Sequence, residues 1–310
     1  PPAVAGGPSQ LYVGDIGNNK AMLGDATARG SVRIYRLDEP VVPTEPPAAG
    51  SVAPVVTAEV TTFSLRYPDK PYGIYGVEKG LAPFENIKAV ALEFTKPENI
   101  TREIEILGQI LGKEKEASDY IKWYVEKSAS VVQATGGQSM PKVYAEWSST
   151  SDLSALGPGS GFDSVLSVAK GYNVARDLGA AFPKVAWEWV VAQNPDVIIK
   201  RQTQFSDQTQ IGWQSEPSSD TARLQSVRDE LLARAGASGI SAVKSGRVYV
   251  MDWDVLNGLD QVVGITYIAK LLHPDADLDP EAVHKEYLER LGLQYPEDRT
   301  FVYPELSSLE

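Results

Sequence analysis

Residues Thr95 to Val132, TKPENITREIEILGQILGKEKEASDYIKWYVEKSASVV, divide two stretches of unlike texture and so constrain the architecture most. Ile100, Ile104, Leu107 and Leu111 recur at helical spacing, and Ile121, Tyr124, Val125 and Val132 continue an apolar stripe, predicting buried positions along one face. Thr95 with Glu98 has the pattern of a capping box, and Pro97 falls where an early helical proline is tolerated. Gly112 predicts a break, giving a short helix and then a longer one that together could reach about 50 Å. A helical element of that length between dissimilar regions reads as a spine joining two lobes.

Before the spine the chain is rich in strand and turn signals. Leu11–Val13, Ser31–Leu37 and Val56–Leu65 alternate apolar and polar residues, while 38–55 is a Pro/Ala/Val-rich extended stretch. Ile87–Phe94 (IKAVALEF) is a compact apolar run, predicted as a buried strand feeding the spine. After the spine, strand and helix patterns alternate. Lys142–Trp147 and Arg247–Asp252 read as strands, and Asp196–Lys200 as a buried strand. Helices are predicted through Ala169, at Trp187–Gln193, at Thr221–Ala235 with Asp220 as N-cap, and at Gln261–Leu272. A last helix begins at Asp279-Pro280-Glu281 and ends at Gly292. Such alternation implies βαβ units and a mostly parallel sheet, whose ligands sit beyond the carboxyl ends of the strands. The expected organisation is 1–94 as a β-rich N-terminal region, 95–135 as the spine, and 136–310 as an α/β ligand-binding lobe.

That rule selects three segments as a candidate site: Trp147–Ser154, Arg201–Trp213 and Trp253–Asn257. They mix aromatic residues with Arg, Asn, Gln and Ser, a combination suited to a small polar or planar ligand. The chemistry of catalysis is thin by comparison. There is no G-x-S-x-G, P-loop or HExxH pattern, no cysteine, and only two histidines, His273 and His284. His273 precedes a proline at a helix end, and His284 is placed on a polar helix face, so both are read as structural. GPGSG at 157–161 is read as a turn, with anion binding through backbone N–H groups as the alternative. No catalytic residue, metal ligand or cofactor is assigned. A net charge of -12 argues against nucleic acid and against adhesion to anionic lipid. No apolar run approaches the roughly 20 residues of a spanning helix, so no direct membrane insertion is expected. The opening PPAVAGG reads as a trimmed or linker-like start.

From about Ile87 to Pro304 the sequence resembles the helical-backbone (class III) substrate-binding proteins of ABC importers. The stretches that carry the likeness are VALEFTKPENITREIEILGQILGKEKEA, KVYAEW, GPGSGFDSVLSVAKGYNVARDLG, FPKVAWEWVVAQNPDVIIK, SAVKSGRVYVMDWD and HPDADLDPEAVHKEYLERLGL. The resemblance implies an α/β fold. Its Rossmann-like C-terminal lobe would be joined by a long spine helix to an N-terminal lobe that is here β-rich and atypical or truncated. It implies an extracytoplasmic, non-enzymatic binding protein, periplasmic or at the cell surface, with a lipid anchor on a longer precursor left open. Its ligand would be a ferric siderophore, haem or cobalamin, delivered to an ABC permease dimer. By the family's pattern, ligand contacts fall on Trp147, Phe182, Arg201, Trp253 and Asn257, and Glu188 would dock the permease.

Residues 10–78 depart from that family. They faintly resemble part of a secreted β-propeller family through DIGNN at 15–19, VRIYRLDEP at 32–40 and YPDKPYG at 67–73, one blade's worth and too little to close a ring. The alternative function is accordingly a non-transport interaction module that keeps the second lobe as scaffold.

Overall fold

The computed structural model describes residues 10–15, 31–38, 61–66, 92, 94–148, 153–202, 211–212 and 221–306. The chain divides into two compact units, Pro1–Leu92 and Glu93–Glu310. In the first, β1 (Gln10–Asp15), β2 (Ser31–Asp38) and β3 (Thr61–Arg66) form a three-stranded antiparallel sheet in the order β1-β2-β3. Gln10 lies opposite Asp38 and Ser31 opposite Arg66, the register of a simple meander. The expected strand Ile87–Phe94 lies outside the described residues except for Leu92 and Phe94. The DIGNN and YPDKPYG motifs do too, apart from Asp15.

The second unit opens with two helices, α1 (Pro97–Leu111) and α2 (Glu114–Thr135). Gly112 ends α1 in the left-handed conformation, φ 64°, as glycine at that position permits. The chain then turns back. A Cβ built on Gly108 would lie 2.5 Å from the Ala117 Cβ, whereas residues nine apart in one helix are separated by about 13 Å. The two helices therefore pack on each other and do not form one continuous rod. The expected capping box is absent as well: Lys96 is the N-cap, with no side-chain capping bond, and Glu98 accepts instead from Ser164 Oγ at 3.1 Å.

The buried stripe differs from the predicted one. Ile100 and Ile104 are buried, Leu107 is half-buried and Leu111 exposed. On α2 the core takes Ala117, Trp123, Tyr124 and Val131, leaving Val125 and Val132 in solvent. The face is set by Trp123 and Tyr124, which bury more apolar area than a valine can.

The sheet of this unit has six strands: β4 (Lys142–Ser148), β5 (Ser154–Ala155), β6 (Tyr172–Asn173), β7 (Val197–Gln202), β8 (Val248–Asp252) and β9 (Val302–Tyr303). Its order is β5-β4-β7-β8-β9, with β6 also pairing β4. β4, β7 and β8 run parallel with β6, while short β5 and β9 are antiparallel. Helices cover both faces, so the central strands are near-continuous apolar runs, as parallel strands buried on both sides must be. Val143, Ala145, Ile199, Tyr249 and Met251 pack with α1, α2, α3 (Phe162–Val168) and α7 (Gln261–Leu272). Tyr144, Ile198 and Val248 pack against α4 (Trp187–Gln193), α5 (Ala222–Leu232) and α6 (Ser241–Lys244). In α7 every residue but Lys270 is buried, which its all-round apolar sequence requires. The last helix, α8 (Pro280–Arg290), begins as expected, with Asp279 accepting from the Ala282 N–H at 2.9 Å. For α5 the N-cap is Thr221, without a side-chain bond, and Asp220 lies outside the described residues.

Candidate functional site

Parallel pairing puts the carboxyl ends of β4, β7 and β8 side by side. Glu146 lies opposite Lys200, Arg201 opposite Met251 and Gln202 opposite Asp252. Because strand side chains alternate, Trp147 and Arg201 emerge on one face and Glu146 and Lys200 on the other. On the first face the Arg201 guanidinium lies 3.5 Å from the centre of the Trp147 ring. Phe182 meets the same indole, with ring centroids 4.5 Å apart, and is 40% exposed. The glycine loop places it there. Gly157 N–H donates to Ala181 O at 2.9 Å, and a Cβ on Gly157 would fall 2.2 Å from Ala180 O, so the 179–183 segment can lie against the loop only because residue 157 is glycine. The GPGSG turn thus has a packing role.

The Arg201 Nε is buried with no hydrogen-bond partner among the described residues. Burial pulls its pKa down to about 10, opposed by the neighbouring Asp254, so it remains a cation at neutral pH. A half-buried guanidinium over an indole can still offer N–H donors to a planar oxyanion.

The remaining candidates occupy different surroundings. Trp253 follows β8, and its N–H donates to Gln202 O at 2.8 Å. Its ring, 5% exposed, turns into the core against Phe162 at 5.3 Å. It forms part of the floor below the strand ends and offers no open wall. Asn257 is exposed on the loop beyond, its side-chain amide donating to Trp253 O at 3.1 Å. Glu188 is exposed in the first turn of α4. Phe205 and Trp213, on the second edge segment, lie outside the described residues.

Two acids sit at the same end of the sheet. Asp252, 2% exposed, accepts the Asp254 N–H through Oδ1 at 3.1 Å, and burial pushes its pKa up to about 7. Asp260 is raised to about 7 for the same reason. Neither histidine is placed for acid–base chemistry. His273 Nε2 meets Ala169 O at 3.1 Å. His284, expected on a polar face, is instead fully buried among Tyr267, Tyr295 and Phe301, and burial lowers its pKa to about 4. Among the described residues no group of three or more His, Cys, Asp or Glu could hold a metal ion.

Residues 84–255 match the sequence model of the periplasmic binding protein family. The chain belongs to that family. Its members are extracytoplasmic substrate-binding proteins of ABC transporters and are not enzymes, and no described helix is long and apolar enough to cross a membrane. The match begins at residue 84, close to where the sequence resemblance begins. No curated protein matches the chain. Among solved structures it is similar to the TroA-like periplasmic binding protein FepB of Veillonella parvula, at 21% identity and TM-score 0.61, over 73% of this chain and 69% of that one. An ABC transporter solute-binding protein of Sulfurospirillum deleyianum matches at 17% identity and TM-score 0.55, over 72% and 67%. A periplasmic haem-binding protein of Pseudomonas aeruginosa matches at 18% identity and TM-score 0.51, over 68% and 72%. At these identities the likeness is one of fold.

One assembly at this end was missed in the sequence. Glu146, with no exposed surface, is bound by Lys200 Nζ at 3.0 Å and by Arg234, Nη1 at 2.6 Å and Nη2 at 3.0 Å. Tyr144 OH adds a contact at 3.3 Å. Burial alone would raise the Glu146 pKa, but the Arg234 hydrogen bonds and the Lys200 charge hold it below the usual carboxylate range. A glutamate and a lysine near the ends of otherwise apolar strands were the available signal, because charges there must be paired.

Proposed function

We propose that this periplasmic binding protein captures an anionic, partly planar metal chelate, of the ferric siderophore, haem or corrinoid class, and delivers it to an ABC permease dimer. The observation that carries this reading is the half-buried Arg201 guanidinium, 3.5 Å from the centre of the Trp147 ring at the strand-end edge. Such a guanidinium suits a carboxylate or another flat oxyanion, while exposed Phe182 offers an apolar surface beside it. Asn257 would add polar contact from the neighbouring loop, with Trp253 as floor. Glu188, exposed on α4, would be the docking acid for a guanidinium pocket on the permease. The name of the haem-binding neighbour agrees with this ligand class. The test is a thermal-shift panel of haem, ferric siderophores and cobalamin on the whole chain. A ligand in excess of its dissociation constant should raise the melting temperature by linkage, with anionic chelates giving the larger shifts. No shift with any of them would overturn the reading.

A second reading has its own observation. The first unit is an antiparallel meander, β1-β2-β3, where the family's first lobe would alternate strands and helices. In this reading the second unit is scaffold and the first makes a protein contact. It predicts silence across the same panel.

A further inference from the structure

Behind the Trp147–Arg201 stack, on the opposite face of the same two strands, the Glu146 assembly extends to α4. Arg234, just beyond α5, holds Glu146 through both terminal nitrogens and lays its guanidinium over the Trp187 ring at 4.8 Å. The Trp187 indole N–H donates to Ala235 O at 2.9 Å. Trp187 is the first residue of α4, and exposed Glu188 is the second.

This helix has only 7 residues, and its N-cap, Ala186, makes no side-chain bond. A helix so short cannot hold its own shape or direction, so both come from tertiary contacts. Val190 is buried in the core, with Trp189 and Val191 packed against the same cluster, and at the start of the helix the Trp187 ring is held by Arg234 and by its bond to Ala235. Arginine is suited to that double contact, since its plane can bind a carboxylate at the edge and an aromatic ring at the face, which an ammonium cannot do together. Taken for stability alone, a buried ion pair adds little over apolar packing of the same volume.

We propose that Arg234, held by the fully buried Glu146, is a positioning residue for permease docking: it fixes the direction in which α4 presents Glu188. This rests on the docking role given to Glu188 above. Glu146 and Lys200 are also the immediate strand neighbours of Trp147 and Arg201, so the docking helix is anchored to the strand ends that form the candidate ligand site.

The experiment compares the whole chain with R234K, which keeps a cation beside Glu146 but loses the planar stack, and with W187L, which leaves the Glu146–Arg234 pairing intact. Three quantities are read: amide hydrogen exchange over 187–193 against 197–202, the melting shift with haem and ferric siderophores, and stimulation of ATP hydrolysis by an iron-chelate ABC permease in nanodiscs. Both variants should raise exchange in 187–193 about 10-fold or more, leave 197–202 and the melting shifts as in the parent chain, and weaken stimulation by a similar factor. Unchanged exchange in 187–193 in both variants would overturn the proposal, as would a loosened helix with undiminished stimulation. E188A separates the two levels. Full stimulation by E188A overturns the docking reading and the proposal with it, whereas loss of stimulation by E188A with an unmoved helix in R234K and W187L overturns only the role of Arg234.

Discussion

Arg201→Met should separate binding from stability. Burial holds the Arg201 pKa at about 10 instead of 12.5. At about 1.4 kcal/mol per pKa unit this corresponds to roughly 3 kcal/mol of lost solvation, which partial exposure reduces to about 1–2 kcal/mol. The buried Nε–H, with no partner among the described residues, adds a penalty of about 1–3 kcal/mol. Against these stands the stack on Trp147, worth about 0.5–2 kcal/mol. Methionine keeps an unbranched apolar stem against the indole and removes the cation. The two penalties, about 2–5 kcal/mol together, match or exceed the stack, so urea denaturation should place R201M at or above the stability of the parent chain. Binding should respond differently. A hydrogen bond to a charged group contributes about 1.5–3 kcal/mol, so titration calorimetry with an anionic chelate from the panel should show about 10- to 150-fold weaker affinity. Loss of more than about 2 kcal/mol of stability with unchanged affinity would refute the reasoning and make Arg201 structural.

Glu146→Gln leaves Lys200 and Arg234 facing each other without a carboxylate and should cost about 3–5 kcal/mol in urea denaturation; a loss below about 1 kcal/mol would mean the cations relax into solvent. On α1, Ile104→Ala should cost about 2–5 kcal/mol, whereas Leu107→Ala, at a half-buried site, should cost about 1 kcal/mol. Equal losses would show that α1 is rotated from the face described. Asp252 has a pKa raised to about 7, so its contribution to stability is complete below the unfolded value near 3.8 and is lost as pH rises through about 7. Asp252→Asn should therefore match the parent chain near pH 4 and become the more stable of the two by about 2–4 kcal/mol at pH 8. A gap between the two chains that stays constant across this range would show that Asp252 ionises freely in the folded protein.

Much of the second unit follows from local pattern. Apolar runs such as DVIIK and RVYVMD have one solution when both faces are covered, and Trp187–Gln193, Gln261–Leu272 and the Asp279-Pro280 start form where spacing and capping chemistry place them. The parallel order then brings Trp147 and Arg201 together, so the candidate site was legible as a consequence of strand ends. Which face of α2 is buried was not legible, because Val125 and Val132 fit a stripe as well as Val131 does and only the partners decide. The fold-back of α1 on α2 depends likewise on a contact between Gly108 and Ala117 that spacing alone does not specify.

The sequence by itself determined the alternation of strands and helices and the break at Gly112, because each rests on a short-range period or a single residue's conformational freedom. Tertiary structure alone decided that Trp253 turns into the core, that His284 is sealed among aromatic rings, and that Glu146, Lys200 and Arg234 share one buried carboxylate. Those outcomes depend on residues as far apart as 146 and 234 meeting in a low-dielectric interior, where a charge persists only beside its partner.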